Sequence, residues 1–335
     1  MSASHCFEPS TAVGDGIVQI RLPMTGNPLR YVNGYLVADD GGYTLIDCGW
    51  RSDDVLEALQ AGLARAGVTI AQIRRVVVTH FHHDHYGLSA TLRRAGVPEL
   101  LMHSADWSFA RSRLGRAPGD RDLLEWLARN GFETRALADD DERRERSELA
   151  EPTACVEDGQ RVGRLQVVWT PGHTPGHVCL VDTLSRRVFT GDHVLDPITP
   201  HVGVWGADRS DPLGTYLDSL RKIGAVAATG ALPAHGEPFA DLHGRVDELL
   251  GHHGVREEAV LGDLRRGQRN AAEIARSLPW TRRGRTFDEL SEMHQQFAVA
   301  ETIAHLEHLW ARRLVAREAA AQCIVYSAAA EGIRP

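Results

Sequence analysis

The chain has 335 residues, which corresponds to about two domains at the usual ~150 residues per domain. Apolar residues make up 43% and charged residues 24%, a balance that excludes a disordered, collagenous or coiled-coil chain. The net charge of −8, from 37 basic and 45 acidic residues, argues against a nucleic-acid-binding surface over the whole molecule.

Cysteine usage and the absence of export signals indicate the compartment. The five cysteines are scattered and include no CxxC pair, so they do not form a disulfide framework. The first ten residues lack a basic region followed by an apolar one, and no apolar run reaches ~18 residues. We therefore expect a cytoplasmic protein without a membrane partner.

The first two-thirds of the chain alternate short β-branched runs with segments of helical spacing, separated by glycine-, proline- and aspartate-rich turns. This alternation predicts a fold of the α/β or α+β class. In chain order, the predicted elements are strands at 17–24, 30–38 and 43–47, a helix at 55–66, a strand at 75–79, a helix at 87–95, strands at 99–102, 165–170, 178–182 and 187–190, and a helix at 211–223.

A charged helical insertion is predicted between residues 104 and 156. Its run of charges at residues 139–146 is typical of a solvated helix face. The apolar run at residues 123–127 is able to cover a site as a lid, because long insertions in compact folds are often functional.

The last third of the chain changes character and is predicted to form a second domain. From residue 241 the pattern is almost continuously helical, with a capping box at residues 270–273 and an apolar-periodic segment from 287 to 310. Two short strands, at 314–317 and 322–326, complete three helices and a hairpin. This arrangement predicts a catalytic domain over residues 1–240 and a winged-helix-like domain over 241–335.

The sharpest local feature is the segment from Thr79 to Gly87, with the sequence THFHHDHYG, which directly follows a buried apolar run. Four histidines and one aspartate fall within six residues, and these side chains are ligands for zinc and similar divalent ions. If the segment is nearly extended, His80 and His82 project to the same side and can share one metal. Asp84 and His85 lie further along and can reach a second.

Three distant segments add further candidate ligands. His173 lies in a Pro/Gly-rich turn between two predicted strands, Asp192 ends a strand, and His235 ends another apolar run. Each of these alone is a common turn residue. Together with the HxHxDH segment, and in this order, they form a specific pattern.

This pattern resembles the metallo-β-lactamase superfamily over about residues 17–238. The resemblance implies an αββα sandwich with metals at one edge of two packed sheets. It also implies that Asp47, at the end of an early strand, orients a ligand histidine by hydrogen bonding. The resemblance implies three ligands for each metal and one that bridges both. The first metal would be held by His80, His82 and His173. The second would be held by Asp84, His85 and His235, with Asp192 bridging the two metals.

The ligand set implies two divalent ions, with zinc the first expectation and iron or manganese as alternatives. Two metals about 3.5–4 Å apart make a bridging hydroxide available near neutral pH, which attacks a carbonyl carbon or a phosphorus. Asp84 is the expected catalytic residue that orients the attacking water. Three further histidines lie near the site in sequence. His83 matches no ligand position, His177 is expected to be a structural partner of its own turn, and His193, which follows the bridging aspartate, is expected to line the pocket.

The C-terminal segment carries three motifs in order: REEAVL from Arg256, EIA from Glu273, and AETIAHLEHL from Ala300 to Leu309. With these motifs it resembles the winged-helix tail of the lactamase-beta-like-2 branch of this superfamily. Some members of that branch cleave single-stranded RNA, and others act on small esters or thioesters. The favoured function is therefore hydrolysis of an ester, thioester or lactone in a small or acyl-carrier-linked substrate, as a thioesterase does. A metal-dependent endoribonuclease is the alternative, and a non-enzymatic nucleic-acid-binding regulator the third hypothesis.

Charge in the C-terminal segment separates these hypotheses in part. Residues 241–335 contain 13 arginines and no lysine against 14 acidic residues, whereas nucleic-acid-binding modules are usually basic. The near-neutral charge favours a structural role or a homodimer interface. Arg282, Arg283 and Arg285 keep RNA binding open.

Overall fold

The computed structural model describes residues 10–113, 121–133, 149–204, 211–280, 285–319 and 323–329. The charge run at residues 139–146, and also Arg282 and Arg283, lie outside the described residues. Among the residues that are described, no helix is both long and apolar enough to cross a membrane.

The predicted mixed α/β class is confirmed. The strands are β1 (Ser10–Gly14), β2 (Ile17–Pro23), β3 (Tyr31–Asp39), β4 (Gly42–Ile46), β5 (Ile73–Val77), β6 (Glu99–His103), β7 (Ala154–Val156), β8 (Arg161–Val162), β9 (Leu165–Trp169), β10 (Val178–Asp182), β11 (Arg187–Gly191), β12 (Gly230–Pro233), β13 (Val315–Ala319) and β14 (Ile324–Ala328). The helices are α1 (Asp53–Arg65), α2 (His83–Tyr86), α3 (Ser89–Arg94), α4 (Ser104–Arg113), α5 (Arg121–Arg129), α6 (Pro212–Gly224), α7 (Leu242–Leu264), α8 (Ala271–Ser277) and α9 (Glu292–Ala311). Short 3-10 turns lie at Ile70–Gln72 and Phe287–Glu289.

The chain divides into two compact units. The first contains Met1–Gly115, Asp141–Pro200 and Arg221–Arg245, and the second contains Arg116–Asp140, His201–Leu220 and Val246–Pro335. The second unit thus includes two stretches that precede residue 241, within the segment predicted as the catalytic domain. The single boundary at residue 240 stays a prediction.

The first unit is built on two sheets that face each other. One sheet has the order β1 to β7, and the other the order β12-β11-β10-β9-β8. Apolar side chains from both sheets fill the space between them, and the rings of Tyr35 and Phe189 meet there edge to face at 5.2 Å. Each such side chain that becomes fully buried stabilises the fold by about 1.5–3 kcal/mol.

The outer face of the larger sheet is covered by helices α1 and α3. Leucines at helical spacing, including Leu59 and Leu63 of α1 and Leu92 of α3, are buried against Leu45 and Val76 of the sheet. The alternation of β4 and β5 therefore serves two cores, one on each face of the sheet.

The strand register brings several chain segments to one edge of each sheet. β4 and β5 are parallel, with Ile46 opposite Val77, so Asp47 and the segment beginning at Thr79 leave the sheet side by side. β11 and β12 are also parallel, and their ends precede Asp192 and His235. Ligands in open α/β sheets bind outside the carboxyl ends of the strands, which is where these side chains emerge.

The second unit contains the predicted capping box and hairpin. Asn270 caps α8, since its Oδ1 accepts the N–H of Glu273 at 2.9 Å and Glu273 Oε2 accepts the N–H of Asn270 at 2.9 Å. β13 and β14 pair antiparallel, with Arg317 opposite Tyr326. The buried Tyr326 hydroxyl donates to Glu307 of α9 at 2.9 Å, which ties the hairpin to that helix.

Candidate metal centre

All seven predicted ligand residues come together at one edge of the first unit. Their potential ligand atoms form two groups, and within each group the atoms lie within 4.8 Å of one another. The first group is His80, His82, His173 and Asp192, and the second is Asp84, His85 and His235. Each group contains the three residues that the resemblance assigns to one metal, and Asp192, expected to bridge both metals, falls in the first group.

Three imidazole nitrogens converge in the first group. Nε2 of His80 lies 2.8 Å from Nδ1 of His82, and Nε2 of His173 lies 3.1 Å from that same Nδ1. Burial lowers the pKa of His80 and of His82 well below the usual range, and the neighbouring histidines lower it further. Both rings are therefore neutral, which is the form of histidine that binds a metal.

Hydrogen bonds on the far side fix the orientation of two rings in the second group. Nδ1 of His235 lies 3.0 Å from the carbonyl oxygen of Tyr31, and Nδ1 of His85 lies 2.8 Å from Oδ2 of Asp47. Since both partners accept, each Nδ1 carries a proton and donates it. The Nε2 of each ring then points into the site. Nε2 of His235 lies 3.3 Å from Oδ2 of Asp84, and Nε2 of His85 lies 3.6 Å from the same oxygen.

Several buried polar atoms here fit a divalent cation. Nε2 of His85, Nε2 of His235 and Oδ1 of Asp192 have no hydrogen-bond partner among the described residues. A buried polar atom without a partner costs about 1–3 kcal/mol, and a bound cation would satisfy all three atoms. Burial lowers the pKa of His85, but the effect of three neighbouring carboxylates is larger. Those of Asp84, Asp47 and Asp192 raise this pKa well above its ordinary value. The charges around His85 therefore favour a cation.

Asp192 faces both groups with different oxygens. Oδ2 lies 3.7 Å from Nε2 of His173, whereas Oδ1 lies 3.6 Å from Nε2 of His85 and 3.5 Å from Nε2 of His235. This geometry suits the bridging position that the resemblance implies. His83, half-buried with its ring 5.9 Å from that of Trp50, belongs to neither group.

Asp47 occupies the position expected of a residue that orients a ligand. Besides the contact to His85, its carboxylate accepts the backbone N–H and the hydroxyl of Thr79, each at 2.8 Å. Its backbone has a φ of +56°, an uncommon value for a residue with a side chain. The hydrogen bonds hold this strained conformation between β4 and the HxHxDH segment.

The sequence predicts His177 as a structural partner of its own turn, but not its contact with Asp192. Nε2 of His177 accepts the backbone N–H of Asp192 at 3.1 Å, and its Nδ1 lies 2.9 Å from the hydroxyl of Thr170. The sequence places His177 in a turn fifteen residues before Asp192, with no local pattern that joins the two. Only the pairing of β10 with β11 brings them together.

Comparisons with known proteins agree with this architecture. The model of the metallo-beta-lactamase superfamily matches residues 27–235, and the model of the metallo-beta-lactamase-like C-terminal domain matches residues 260–329. Among curated proteins, the chain is 28% identical to the probable metallo-hydrolase YqjP of Bacillus subtilis, over 90% of this chain and 94% of that protein. It is also 28% identical to the lactamase-like protein adaB of Aspergillus niger, over 72% of this chain and 63% of that protein.

Two solved structures resemble almost the whole chain. The metallo-beta-lactamase family protein TTHA1429 from Thermus thermophilus superposes with a TM-score of 0.79 at 29% identity, covering 95% of this chain and all of that one. A beta-lactamase domain protein from Burkholderia ambifaria superposes with a TM-score of 0.82 at 27% identity, covering 98% and 96% of the two chains. The chain belongs to the metallo-beta-lactamase superfamily.

Proposed function

We propose that this chain is a dinuclear metal-dependent hydrolase that cleaves an ester, thioester or lactone in a small or carrier-linked acyl substrate. The observation that carries the proposal is the pair of ligand groups joined by Asp192, whose two carboxylate oxygens face different groups. When bound, two divalent ions supply a water-derived nucleophile near neutral pH and stabilise charge on the oxygen of the attacked bond. The kinship with YqjP, named a probable metallo-hydrolase, supports hydrolysis.

The carboxylates form the accessible side of the centre. The side chains of Asp84 and Asp192 are each 13% exposed, whereas those of His85 and His235 are at most 1% exposed. Burial raises the pKa of Asp84, but His85 and His235 outweigh it and lower the pKa to about 2. Asp84 is thus ionised at neutral pH and accepts a hydrogen bond from an attacking water. This hydrogen bond orients the water, and the proton stays on the water.

Aromatic side chains beside the first group support an apolar acyl substrate. The half-buried ring of Phe81 lies 4.8 Å from that of His82 and 4.9 Å from that of Phe109 on α4. An apolar wall beside His82 favours an acyl chain by removing its surface from water. This wall would not favour the charged backbone of RNA.

A substrate panel tests the proposal. Protein loaded with zinc, iron or manganese would be incubated with aryl esters and acyl-pantetheine thioesters of increasing chain length, with lactones, and with single-stranded RNA. We expect hydrolysis of esters or thioesters that is lost in Asp84→Ala and retained in His83→Ala. Cleavage of RNA alone, sensitive to the same Asp84 variant, would replace the acyl substrate with a phosphodiester.

A further inference from the structure

A buried carboxylate outside the ligand set contacts the segments that carry the first group. Asp106, in the first turn of α4, is fully buried. Its Oδ2 accepts the backbone N–H of Phe81 at 2.8 Å and the hydroxyl of Thr174 at 2.9 Å, and its Oδ1 accepts the backbone N–H of Gly176. These three partners are all donors.

The partners of Asp106 lie beside ligands on two different segments. Phe81 stands between His80 and His82, and Thr174 directly follows His173. The partners are 25, 68 and 70 residues away from Asp106 in the chain, so the carboxylate does not cap its own helix. It joins the two segments that must stay together for three imidazoles to converge.

Backbone packing at Gly176 shows how close α4 comes to the His173 turn. A Cβ added at Gly176 would lie 2.3 Å from the backbone nitrogen of Asp106 and 2.8 Å from its Cβ. Only glycine fits this approach, because backbone atoms cannot move away as a flexible side chain would. The start of α4 and the turn are therefore in direct contact.

The two supporting carboxylates differ in what they reach. Asp106 accepts from Phe81 and Thr174, which lie beside ligands of the first group. Asp47 contacts His85 of the second group directly and reaches His80 of the first through Thr79, whose hydroxyl lies 3.1 Å from Nδ1 of His80. We propose that Asp106 is a positioning residue that sets the metal affinity of the first group, largely independently of the second. This inference rests on the metal centre of the proposed function but not on its substrate.

The two ligand groups can be tested separately in variants that lack one ligand. His235→Ala removes a ligand of the second group only, and His173→Ala removes a ligand of the first group only. Zn²⁺ affinity would be measured by competition with a chromophoric chelator, and Co²⁺ absorption spectra would report ligand geometry. Loss of a hydrogen-bonded partner behind a ligand typically costs about 10–100-fold in affinity.

We expect Asp106→Ala to weaken Zn²⁺ binding by about 10–100-fold in the His235→Ala background and to change its Co²⁺ spectrum. In the His173→Ala background, Asp106→Ala should leave the Zn²⁺ affinity and the Co²⁺ spectrum unchanged. Asp47→Ala is the comparison and should weaken Zn²⁺ binding in both backgrounds, because Asp47 contacts His85 directly and His80 through Thr79. Thr174→Val removes one of the three donors and should weaken the first group in the same direction, which keeps the test decisive if Asp106→Ala does not fold.

Two results would overturn the inference while the metal centre stands. One is unchanged affinity of the first group in Asp106→Ala, or in Thr174→Val where Asp106→Ala does not fold. The other is an equal loss in both backgrounds, which would mean that Asp106 supports folding in general. Failure of the wild-type chain to bind any metal would instead remove the proposed function itself.

Discussion

Nε2 of His177 accepts the backbone N–H of Asp192 at 3.1 Å, although neither residue is near the other in sequence. An N–H group only donates, so this Nε2 carries no proton, and the proton on Nδ1 is donated to the hydroxyl of Thr170. Burial lowers the pKa of His177 well below its usual value, which keeps the ring neutral. The ring thereby fixes the backbone of the residue that faces both ligand groups.

We predict that His177→Ala weakens metal binding by about tenfold and lowers turnover, because Asp192 loses the partner that fixes its backbone. His177→Gln should recover much of the loss, since a side-chain carbonyl can accept the same N–H. Zinc affinity and kcat measured on both variants check this. Equal effects of alanine and glutamine would show that the acceptor does not matter.

Metal content is the second prediction. Protein purified without added metal should approach two divalent ions per chain by elemental analysis, with zinc expected first. Removal with a chelator should abolish hydrolysis and lower the melting temperature, because ions that bind only the folded state stabilise it by mass action. A folded sample that takes up no metal after loading would exclude the assignment.

The third prediction separates ligands from their neighbours. His80→Ala, Asp84→Ala and Asp192→Ala should each reduce kcat/KM by about 100-fold or more, since each disturbs the metals or the attacking water. His83→Ala should cost less than about threefold, because its ring lies beside Trp50 and outside both ligand groups. Comparable losses at His83 and His80 would mean that the ligand register is wrong.

The candidate ligands could be found in the sequence because several of them closely follow apolar strands, whereas their division between two metals came from the resemblance to the superfamily. The ends of β5, β11 and β12 are visible as runs of apolar residues, and the residue after each strand is tied to the sheet edge. The fold class followed from the same alternation.

Apart from the contact of Asp47, which the resemblance implied, the supporting contacts could not be predicted, because they depend on tertiary pairing. Asp106 looks like an ordinary acidic residue in the first turn of a helix, and its contact with Gly176 spans 70 residues. The hydroxyl of Tyr326 lies 3.1 Å from Oδ1 of Asn130, which is 196 residues away in the chain. The short strands β7 and β8, of three and two residues, carry too little periodicity to be recognised.

The fourth prediction concerns RNA. The near-neutral charge of residues 241–335 leads us to expect only weak binding of a single strand at physiological ionic strength. Replacing Arg282, Arg283 and Arg285 together should leave ester hydrolysis unchanged. Tight binding with a steep dependence on salt, lost in the triple variant, would contradict this expectation.

The last prediction is a pH dependence of stability in the second unit. Nδ1 of His253, on α7, lies 3.2 Å from Nε2 of His305, and Nδ1 of His305 lies 2.8 Å from the carbonyl oxygen of Glu301. That carbonyl accepts a hydrogen bond from Nδ1–H of His305, and Nε2 of His305 in turn accepts one from Nδ1–H of His253. Burial, together with His305, lowers the pKa of His253 from 6.5 to about 3. His253 is therefore neutral in the folded chain at neutral pH.

Between pH 6.5 and about 3 the unfolded chain binds a proton at residue 253 that the folded chain does not, so stability falls as the pH is lowered through this window. One such group contributes at most about 1.4 kcal/mol per pH unit to the free energy of unfolding.

Urea unfolding of metal-free protein between pH 7 and 4.5 measures this slope. His253→Gln should reduce it, because the amide can still donate to His305 but takes up no proton. Identical slopes in the wild-type chain and in His253→Gln would mean that His253 is protonated equally in the folded and unfolded chain.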